Sequence, residues 1–132
     1  VVAAAKLGLG ADALAAAPRV TELAFDSIRK RMTTIQMIGG APAACVKGAI
    51  SHLLPLCTRI CAADGAALLD TLTTGLVLDA HRAMAARGLR VLAVATRSLR
   101  PEVPPRAQWE PAEIERELTL LGLIAMEDPP RP

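Results

Sequence analysis

The stretch RVTELAFDSIRKRMTTIQMIGGAPAACV, residues 19–46, decides the fold of this chain. Apolar and polar side chains alternate loosely from Arg19 to Phe25 and more clearly from Met32 to Met37, which predicts two β-strands joined by a charged connection. Gly39-Gly40-Ala41-Pro42 predicts a turn, and Ala43 to Val46 predicts a third strand. Because connections this short join antiparallel neighbours, we expect a mostly antiparallel sheet with helices packed on it, an α+β fold.

The rest of the chain supplies the helices and the remaining strands. Asp64-Gly65 favours a two-residue hairpin turn between Arg59 to Ala63 and Ala66 to Leu69. Propensity alone favours a helix over Ala66 to Leu72, so the two rules conflict, and we expect the hairpin. The clearest predicted helix runs from Thr73 to Arg87 and ends at Gly88. The other expected elements are a helix over Val1 to Ala17 interrupted near Gly8, a short helix over Ala49 to Leu56, a strand over Leu89 to Thr96, a proline-rich loop over Pro101 to Pro111, a helical turn over Glu113 to Glu117 and a strand over Leu118 to Met126.

The composition limits the class of ligand. The chain has 132 residues, which suits one domain, and 52% of them are hydrophobic. Only 2% are aromatic, namely Phe25 and Trp109, which argues against single-stranded nucleic-acid binding because that binding uses several stacking platforms. The net charge of +2 is too balanced to indicate a nucleic-acid or membrane-surface partner. Basic residues do cluster at Arg29-Lys30-Arg31 and from Arg82 to Arg100, which suits a small polyanion.

The cysteines and the apolar runs exclude other kinds of site. Cys45, Cys57 and Cys61 are odd in number and lack metal-ligand or CxxC spacing, so we expect small buried side chains in a reducing compartment. No apolar run approaches the roughly 20 residues that a membrane-spanning helix needs. We therefore expect no direct membrane insertion by this segment.

Four segments, in this order, carry a family resemblance: FDSIRKRM (residues 25–32), VKGA (46–49), GLRVLAVA (88–95), and LTLLG (118–122) running to DPPRP (128–132). Together they resemble the nucleotide-binding domain of P-type cation-transporting ATPases, closest to the calcium- and sodium/potassium-pump branch and its bacterial relatives. The resemblance covers nearly the whole chain. It implies a nucleotide-binding domain over residues 1–127 and a hinge strand over 128–132 that leads to a phosphorylation domain.

The resemblance implies an adenosine site around Phe25 and Lys47. The family's matching phenylalanine stacks on adenine, and stacking of a base on a ring contributes roughly 1–3 kcal/mol. Lys47 matches the floor of the adenosine site, Gly48 lets a nucleotide approach the backbone, and Lys30 reaches toward the phosphates. Without the resemblance, Phe25 would be interpreted as a core residue and each lysine as a solvated surface residue.

Arg90 and Leu92 complete the expected site. Arg90 matches an arginine that binds the phosphates, although a charge on an edge strand that discourages aggregation is nearly as good an explanation. Leu92 faces the same side two residues later and is expected to wall the adenine pocket. Arg29 and Arg31 are expected to remain mostly solvated.

The family's chemistry is transfer of the γ-phosphoryl group of ATP to an aspartate, with Mg²⁺ bridging the phosphates. The Asp-Lys-Thr-Gly-Thr segment that holds this aspartate is not in the sequence. We therefore expect the chain to bind ATP without turnover, as a cytoplasmic domain of an integral membrane protein that works with the phosphorylation and actuator domains of the same pump. The expected hinge, about which closure would bring ATP to the aspartate, consists of Asp128, Pro129, Pro130 and Arg131.

One departure and two alternatives accompany this interpretation. The family's acidic contact to the adenine amine would precede Val1, so weaker ATP binding is expected of this chain. A self-contained phosphatase or kinase would need a nucleophile or metal-binding carboxylates, and the sequence has no DxD pair, no GxxxxGK[ST] loop and no Cys/His constellation. A regulatory or interaction domain that keeps the fold without binding nucleotide stays open, and it would be supported by a buried Phe25 and a closed site.

Overall fold

The computed structural model of the chain describes residues 6–100 and 110–130. Its strands are β1 (Arg19–Asp26), β2 (Arg31–Ile38), β3 (Ala41–Gly48), β4 (Cys57–Ala62), β5 (Gly65–Leu68), β6 (Arg90–Ser98) and β7 (Leu118–Met126). Its helices are α1 (Ala11–Ala15), α2 (Ile50–Leu53), α3 (Thr71–Ala86) and α4 (Pro111–Ile114), and a 3₁₀ turn at Leu54–Leu56 follows α2. Most of the predicted proline-rich loop and the first residues of the predicted N-terminal helix lie outside the described residues.

The strands form one sheet in the order β1-β2-β3-β6-β7-β4-β5. Within the described ranges, every neighbouring pair is antiparallel except β4 with β7, which is parallel. The predicted α+β fold with a mostly antiparallel sheet is confirmed. The parallel pair is possible because α3 and β6 lie between β4 and β7 in the chain and provide the long crossover that parallel strands need.

The hydrophobic core lies on one face of this sheet. Alternate residues of the central strands point to this face and are buried, namely Thr33, Ile35, Ala44, Val46, Ala93, Ala95, Leu118 and Leu120. Leu53 and Leu54, from α2 and the turn after it, cover the middle of the face, and Ile114 of α4 packs on Ile35 and Ala44 farther along. The opposite face carries Met32, Lys47 and Leu92, which are half-buried or exposed.

Helix α3 ends at the predicted glycine and begins at an aspartate cap that was not predicted. The Asp70 carboxylate accepts the backbone N–H of Thr73 at 2.8 Å, which caps the first turn two residues earlier than expected. Gly88, with φ 76°, follows the last turn, and its N–H donates to the Ala85 carbonyl at 2.9 Å. No helix among residues 6–100 and 110–130 is long and apolar enough to cross a membrane.

The predicted hairpin is present, but its turn differs from the prediction. Ala62 pairs with Gly65, so the two turn residues are Ala63 and Asp64 rather than Asp64 and Gly65. The positive φ of 121° belongs to Gly65, the first residue of β5. The competing helix over Ala66 to Leu72 does not form in its first half because pairing with β4 overrides helix propensity.

Two further local predictions are wrong. The short helix before β7 spans Pro111–Ile114 instead of Glu113 to Glu117, since proline at the start of a helix sets its first turn. The cysteines are not uniformly buried: Cys45 and Cys57 are half-buried, and Cys61 is exposed on β4 near the hairpin turn.

Candidate functional site

The connection between β1 and β2 is a tight turn organised by Asp26. The Asp26 carboxylate accepts the backbone N–H groups of Ile28 at 2.7 Å and Arg29 at 2.9 Å. These two hydrogen bonds, that of Arg29 first, hold the pKa of Asp26 below its ordinary value. Lys30 donates its N–H to the Asp26 carbonyl at 2.7 Å and has φ 55°, a left-handed conformation that residues other than glycine rarely adopt. The turn therefore holds the Lys30 backbone in one conformation between the two strands.

The end of β3 lies against this turn. Arg31 pairs with Gly48 across β2 and β3, and the Ala49 N–H donates to the Lys30 carbonyl at 3.0 Å. A Cβ atom on Gly48 would lie 2.5 Å from the Lys30 carbonyl oxygen and 2.6 Å from the Arg31 Cβ. Glycine is required here because two backbones approach closely, and this approach brings Lys47 beside the turn.

A pocket of about 310 Å³ opens where the turn, the end of β3 and strand β6 meet. It is lined by Phe25, Lys30, Met32, Lys47, Gly48, Ala49 and Leu92. Five of the six residues expected at a nucleotide site therefore line one pocket. The sixth, Arg90, does not line it. Phe25 lies on β1, Lys30 in the turn and Lys47 on β3. The pairing of β1 with β2 and of β2 with β3 brings these three residues together.

The lining combines an aromatic ring, apolar side chains and two cations. Phe25 is 64% exposed, so it is not the core residue that the alternative interpretation required. Lys30 and Lys47 are also exposed, and they are the charged members of the lining. An apolar surface with positive charge beside it suits a flat, partly apolar ligand that carries negative charge.

Met32 and Ala49 are lining residues that the sequence interpretation missed. Met32 pairs with Lys47 in the register of β2 and β3, and Ala49 directly follows Gly48. The face on which Met32 lies follows from its pairing with Lys47, because directly opposed residues of an antiparallel pair project to the same side, and the sequence did not reveal this register.

Arg90 lies outside the lining of this pocket. It begins β6, two residues before Leu92, and its guanidinium donates to the Asp128 carboxylate at 3.0 Å. Both side chains of this ion pair are exposed, at 64% and 63%. Asp128, Pro129 and Pro130 follow the end of β7 without regular secondary structure, and Arg131 lies outside the described residues.

The structure corrects the expectation that Arg29 and Arg31 are solvated. Both guanidiniums bind the carboxylate of Glu115, a residue that is 2% exposed, with Arg29 Nη2 2.7 Å from Oε1 and Arg31 Nε 2.6 Å from Oε2. The buried Thr33 hydroxyl donates to Oε1 at 2.7 Å. Burial alone would raise the pKa of Glu115, but the hydrogen bonds from Arg29, Thr33 and Arg31 outweigh it and hold this pKa below its ordinary value.

Protein side chains do not assemble a metal site in the described part of the chain. Among residues 6–100 and 110–130, no group of three or more His, Cys, Asp and Glu side chains is placed to hold a metal ion.

Fold and pocket together define a small α+β domain with an apolar pocket, bordered by two lysines, on the face of the sheet opposite the core. The family model for "P-type ATPase, cytoplasmic domain N" matches residues 1–132. This chain therefore belongs to the cytoplasmic N domains of P-type ATPases.

Named relatives agree with this assignment. The chain is 37% identical over 131 residues, 98% of its length, to the probable cation-transporting ATPase F of Mycobacterium bovis. It is 35% identical over 113 residues, 86% of its length, to calcium-transporting ATPase 1 of Bacillus cereus. It is 36% identical over 112 residues, 82% of its length, to plasma membrane calcium-transporting ATPase 4 of Bos taurus. The chain spans 14%, 12% and 9% of these relatives, respectively.

Proposed function

We propose that this chain binds ATP in the pocket between the β1–β2 turn, the end of β3 and β6. The observation that carries the proposal is the convergence of an exposed ring, Phe25, with the side chains of two lysines, Lys30 and Lys47, in the lining of one pocket of about 310 Å³. That volume lies within the range of small-molecule sites. Membership of the N-domain family supports the same ligand.

Each part of ATP has a matching part of the pocket. The adenine ring stacks on Phe25, and its edge packs against the half-buried side chains of Met32 and Leu92. Gly48 lines the pocket at the end of β3, and its lack of a side chain lets the turn that carries Lys30 approach this strand. Stacking on the ring contributes roughly 1–3 kcal/mol, so we expect Phe25 to contribute strongly to affinity.

The phosphates lie toward the cations. Lys30 and Lys47 provide mobile point charges that suit a polyphosphate, and Mg²⁺ binds through the phosphate oxygens. Arg90 contributes a phosphate contact only after its guanidinium exchanges the Asp128 carboxylate for a phosphate oxygen.

The parent protein would be an ATP-driven cation pump. In that setting this domain holds adenosine and presents the γ-phosphate to an aspartate in a separate phosphorylation domain, and an actuator domain completes the cycle. The segment Asp128, Pro129, Pro130 and Arg131 would be one of the hinges that connect this domain to the phosphorylation domain. Its prolines restrict the backbone of that hinge. The chain alone binds ATP without turnover, because it supplies positioning and charge but no phosphoryl acceptor.

The decisive experiment is an ATP titration of the chain with and without Mg²⁺, followed by NMR and calorimetry. Phe25→Ala and Lys47→Ala are the test variants, and they should weaken saturable binding while leaving the fold intact. Ile28→Ala is the matched control for Phe25, because Ile28 is an 84% exposed apolar residue of the same turn that does not line the pocket. Lys6→Ala is the control for Lys47.

The outcomes separate the two candidate functions. Binding that both test variants weaken and both controls preserve supports ATP binding. A folded chain that shows no binding at millimolar ATP contradicts the proposal and favours a nucleotide-independent regulatory or interaction domain. Turnover of ATP by the pure chain, lost in Lys47→Ala, would contradict the claim that the chain only binds.

A further inference from the structure

The buried carboxylate of Glu115 joins the two residues that flank Lys30. Its side chain has no exposed surface, and it accepts hydrogen bonds from Arg29 at 2.7 Å, Arg31 at 2.6 Å and Thr33 at 2.7 Å. Glu115, Arg29, Arg31 and Thr33 do not line the pocket. The cluster therefore lies behind the proposed ATP site and cannot be explained as a direct contact to nucleotide.

The two arginines also bind the backbone of the turn. Arg31 Nη1 donates to the Arg29 carbonyl at 3.0 Å, and Arg29 Nη1 donates to the Ala24 carbonyl at 3.2 Å. Lys30 lies between these arginines with φ 55°, a conformation that is unfavourable for a lysine unless its neighbours impose it. Through the two arginines, Glu115 thus holds the residues on both sides of Lys30. Among the described residues, Lys30 is the one residue of this turn with a left-handed backbone.

Glu115 itself is anchored to the core. Ile114, the residue before it, is 5% exposed and packs on Ile35. Arg97 of β6 donates to the carbonyl oxygens of Glu113 at 2.8 Å and of Ile114 at 3.3 Å. The carboxylate is therefore a fixed point to which the turn is attached.

We propose that Glu115 is a positioning residue for the nucleotide site: by holding Arg29 and Arg31 it fixes the turn so that Lys30 stays in the lining of the pocket. This rests on the proposed ATP binding of that pocket. Neutralising Glu115 would release the arginines, and the turn would relax from its left-handed conformation at Lys30. The Lys30 ammonium would then spend less time beside the phosphates.

The sign of the effect on ATP affinity separates positioning from two simpler roles. If only Coulomb forces matter, removing the negative charge of Glu115 reduces the repulsion of a polyanion and strengthens ATP binding. A purely structural role leaves the affinity of the folded protein unchanged. Positioning alone predicts weaker binding, by up to about fivefold, which is the most that losing one exposed ionic contact usually costs.

The test compares Glu115→Gln with Glu117→Gln by ATP titration at fixed ionic strength and at a temperature well below the unfolding midpoint of each variant. Glu117 lies two residues away, is 69% exposed and pairs with Arg97 rather than with the turn, so it receives the same chemical change without the clamp. Glu115→Gln should weaken binding, and Glu117→Gln should not. Thr33→Val, which removes one of the three donors to the carboxylate, should shift affinity in the same direction by less.

Combination with Lys30→Ala tests the route of the effect. Glu115→Gln should cost little further affinity when Lys30 is already alanine, whereas in the Lys47→Ala background it should cost as much as in wild type. Unchanged or tighter ATP binding by folded Glu115→Gln would overturn the proposal. So would an undiminished effect in the Lys30→Ala background.

Amide hydrogen exchange tests the same clamp without ATP. In Glu115→Gln the Ala49 N–H, which donates to the Lys30 carbonyl, and the Lys30 N–H should exchange at least about tenfold faster than in wild type. Core amides of β3 and β6 should keep their relative protection. If wild type fails to bind ATP, the proposed function fails, while these amides still decide whether Glu115 holds the turn. Unchanged exchange at both amides would show that it does not.

Discussion

The guanidinium of Arg90 donates to the carboxylate of Asp128 at 3.0 Å, which joins the first residue of β6 to the segment just beyond the end of β7. Strand β6 carries Leu92 into the wall of the pocket, and Asp128 begins the predicted hinge. One exposed ion pair therefore links the proposed nucleotide site to the proposed connection with the rest of the pump. A phosphate that recruits Arg90 must compete with Asp128 for the same guanidinium.

Asp128→Asn should strengthen ATP binding slightly, because it frees Arg90 for the phosphates. We expect an affinity gain of about twofold, since exposed ion pairs are weak, and a loss of similar size in Arg90→Ala. Calorimetric ATP titrations of both variants check this. The matched control is Asp79→Asn, which breaks the comparably exposed pair of Arg82 and Asp79 on α3. Equal affinities for wild type and both Arg90-pair variants would mean that Arg90 makes no phosphate contact.

Gly48→Ala should destabilise the domain. The new Cβ would lie 2.5 Å from the Lys30 carbonyl oxygen, so the turn or the end of β3 must shift, at a cost of about 1–3 kcal/mol. Urea unfolding followed by circular dichroism measures the free energy of unfolding. Gly75→Ala is the control of opposite sign: it lies inside α3 with nothing within 4 Å of the added Cβ, and it should stabilise by about 0.5–1 kcal/mol. A Gly48→Ala protein as stable as wild type would show that this close approach is not tight.

The strands could be predicted from the sequence because their signals are local. Alternation from Met32 to Met37 defines β2, and the observed strand Arg31–Ile38 extends it by one residue at each end. The strand Leu118–Met126 matches its prediction at both ends. The residues of the pocket could not be predicted from local signals, because composition and spacing do not single out Phe25 or Lys47. The family resemblance identified both residues.

Long-range pairing is what the sequence did not reveal. Glu115 lies 86 residues from Arg29 and 84 from Arg31, and no local pattern marks it as buried. The sequence placed Glu115 only in a predicted helical turn, and it gave no reason to expect that Arg29 and Arg31, which were assigned to solvent, would bind it. The parallel pairing of β4 with β7 was missed for the same reason, since it joins two strands across α3 and β6.

Glu115→Gln should lower stability in a way that depends on pH. Its folded-state pKa lies below the ordinary value of 4.5, so the carboxylate contributes stability that is fully present above pH 4.5 and is lost as pH falls through the folded pKa. At pH 7 the variant should be less stable than wild type by about 2–4 kcal/mol, because two buried arginine contacts lose their counter-charge. The difference in the free energy of unfolding between wild type and variant should narrow below pH 4.5, because Glu115 of the wild type then becomes protonated and loses the charge that the variant lacks. Urea unfolding from pH 7 to pH 3 measures it, and a gap that stays constant would contradict the assignment of the acid sensitivity to Glu115.

The three cysteines should react with thiol reagents at different rates. Cys61 is exposed, whereas Cys57 is half-buried, donates its thiol to the Leu53 carbonyl at 3.4 Å and has its pKa raised to about 11 by burial. Burial also raises the pKa of Cys45. Because the thiolate is the reactive form, although a thiolate of higher pKa is intrinsically more nucleophilic, alkylation at pH 8 should label Cys61 first and Cys57 at least about tenfold more slowly. Peptide mass spectrometry identifies the order, and Cys61→Ser should remove the fast phase. In 6 M urea all three should react alike, and a Cys57 peptide labelled in the fast phase of the folded protein would show that the segment from α2 to β4 opens readily.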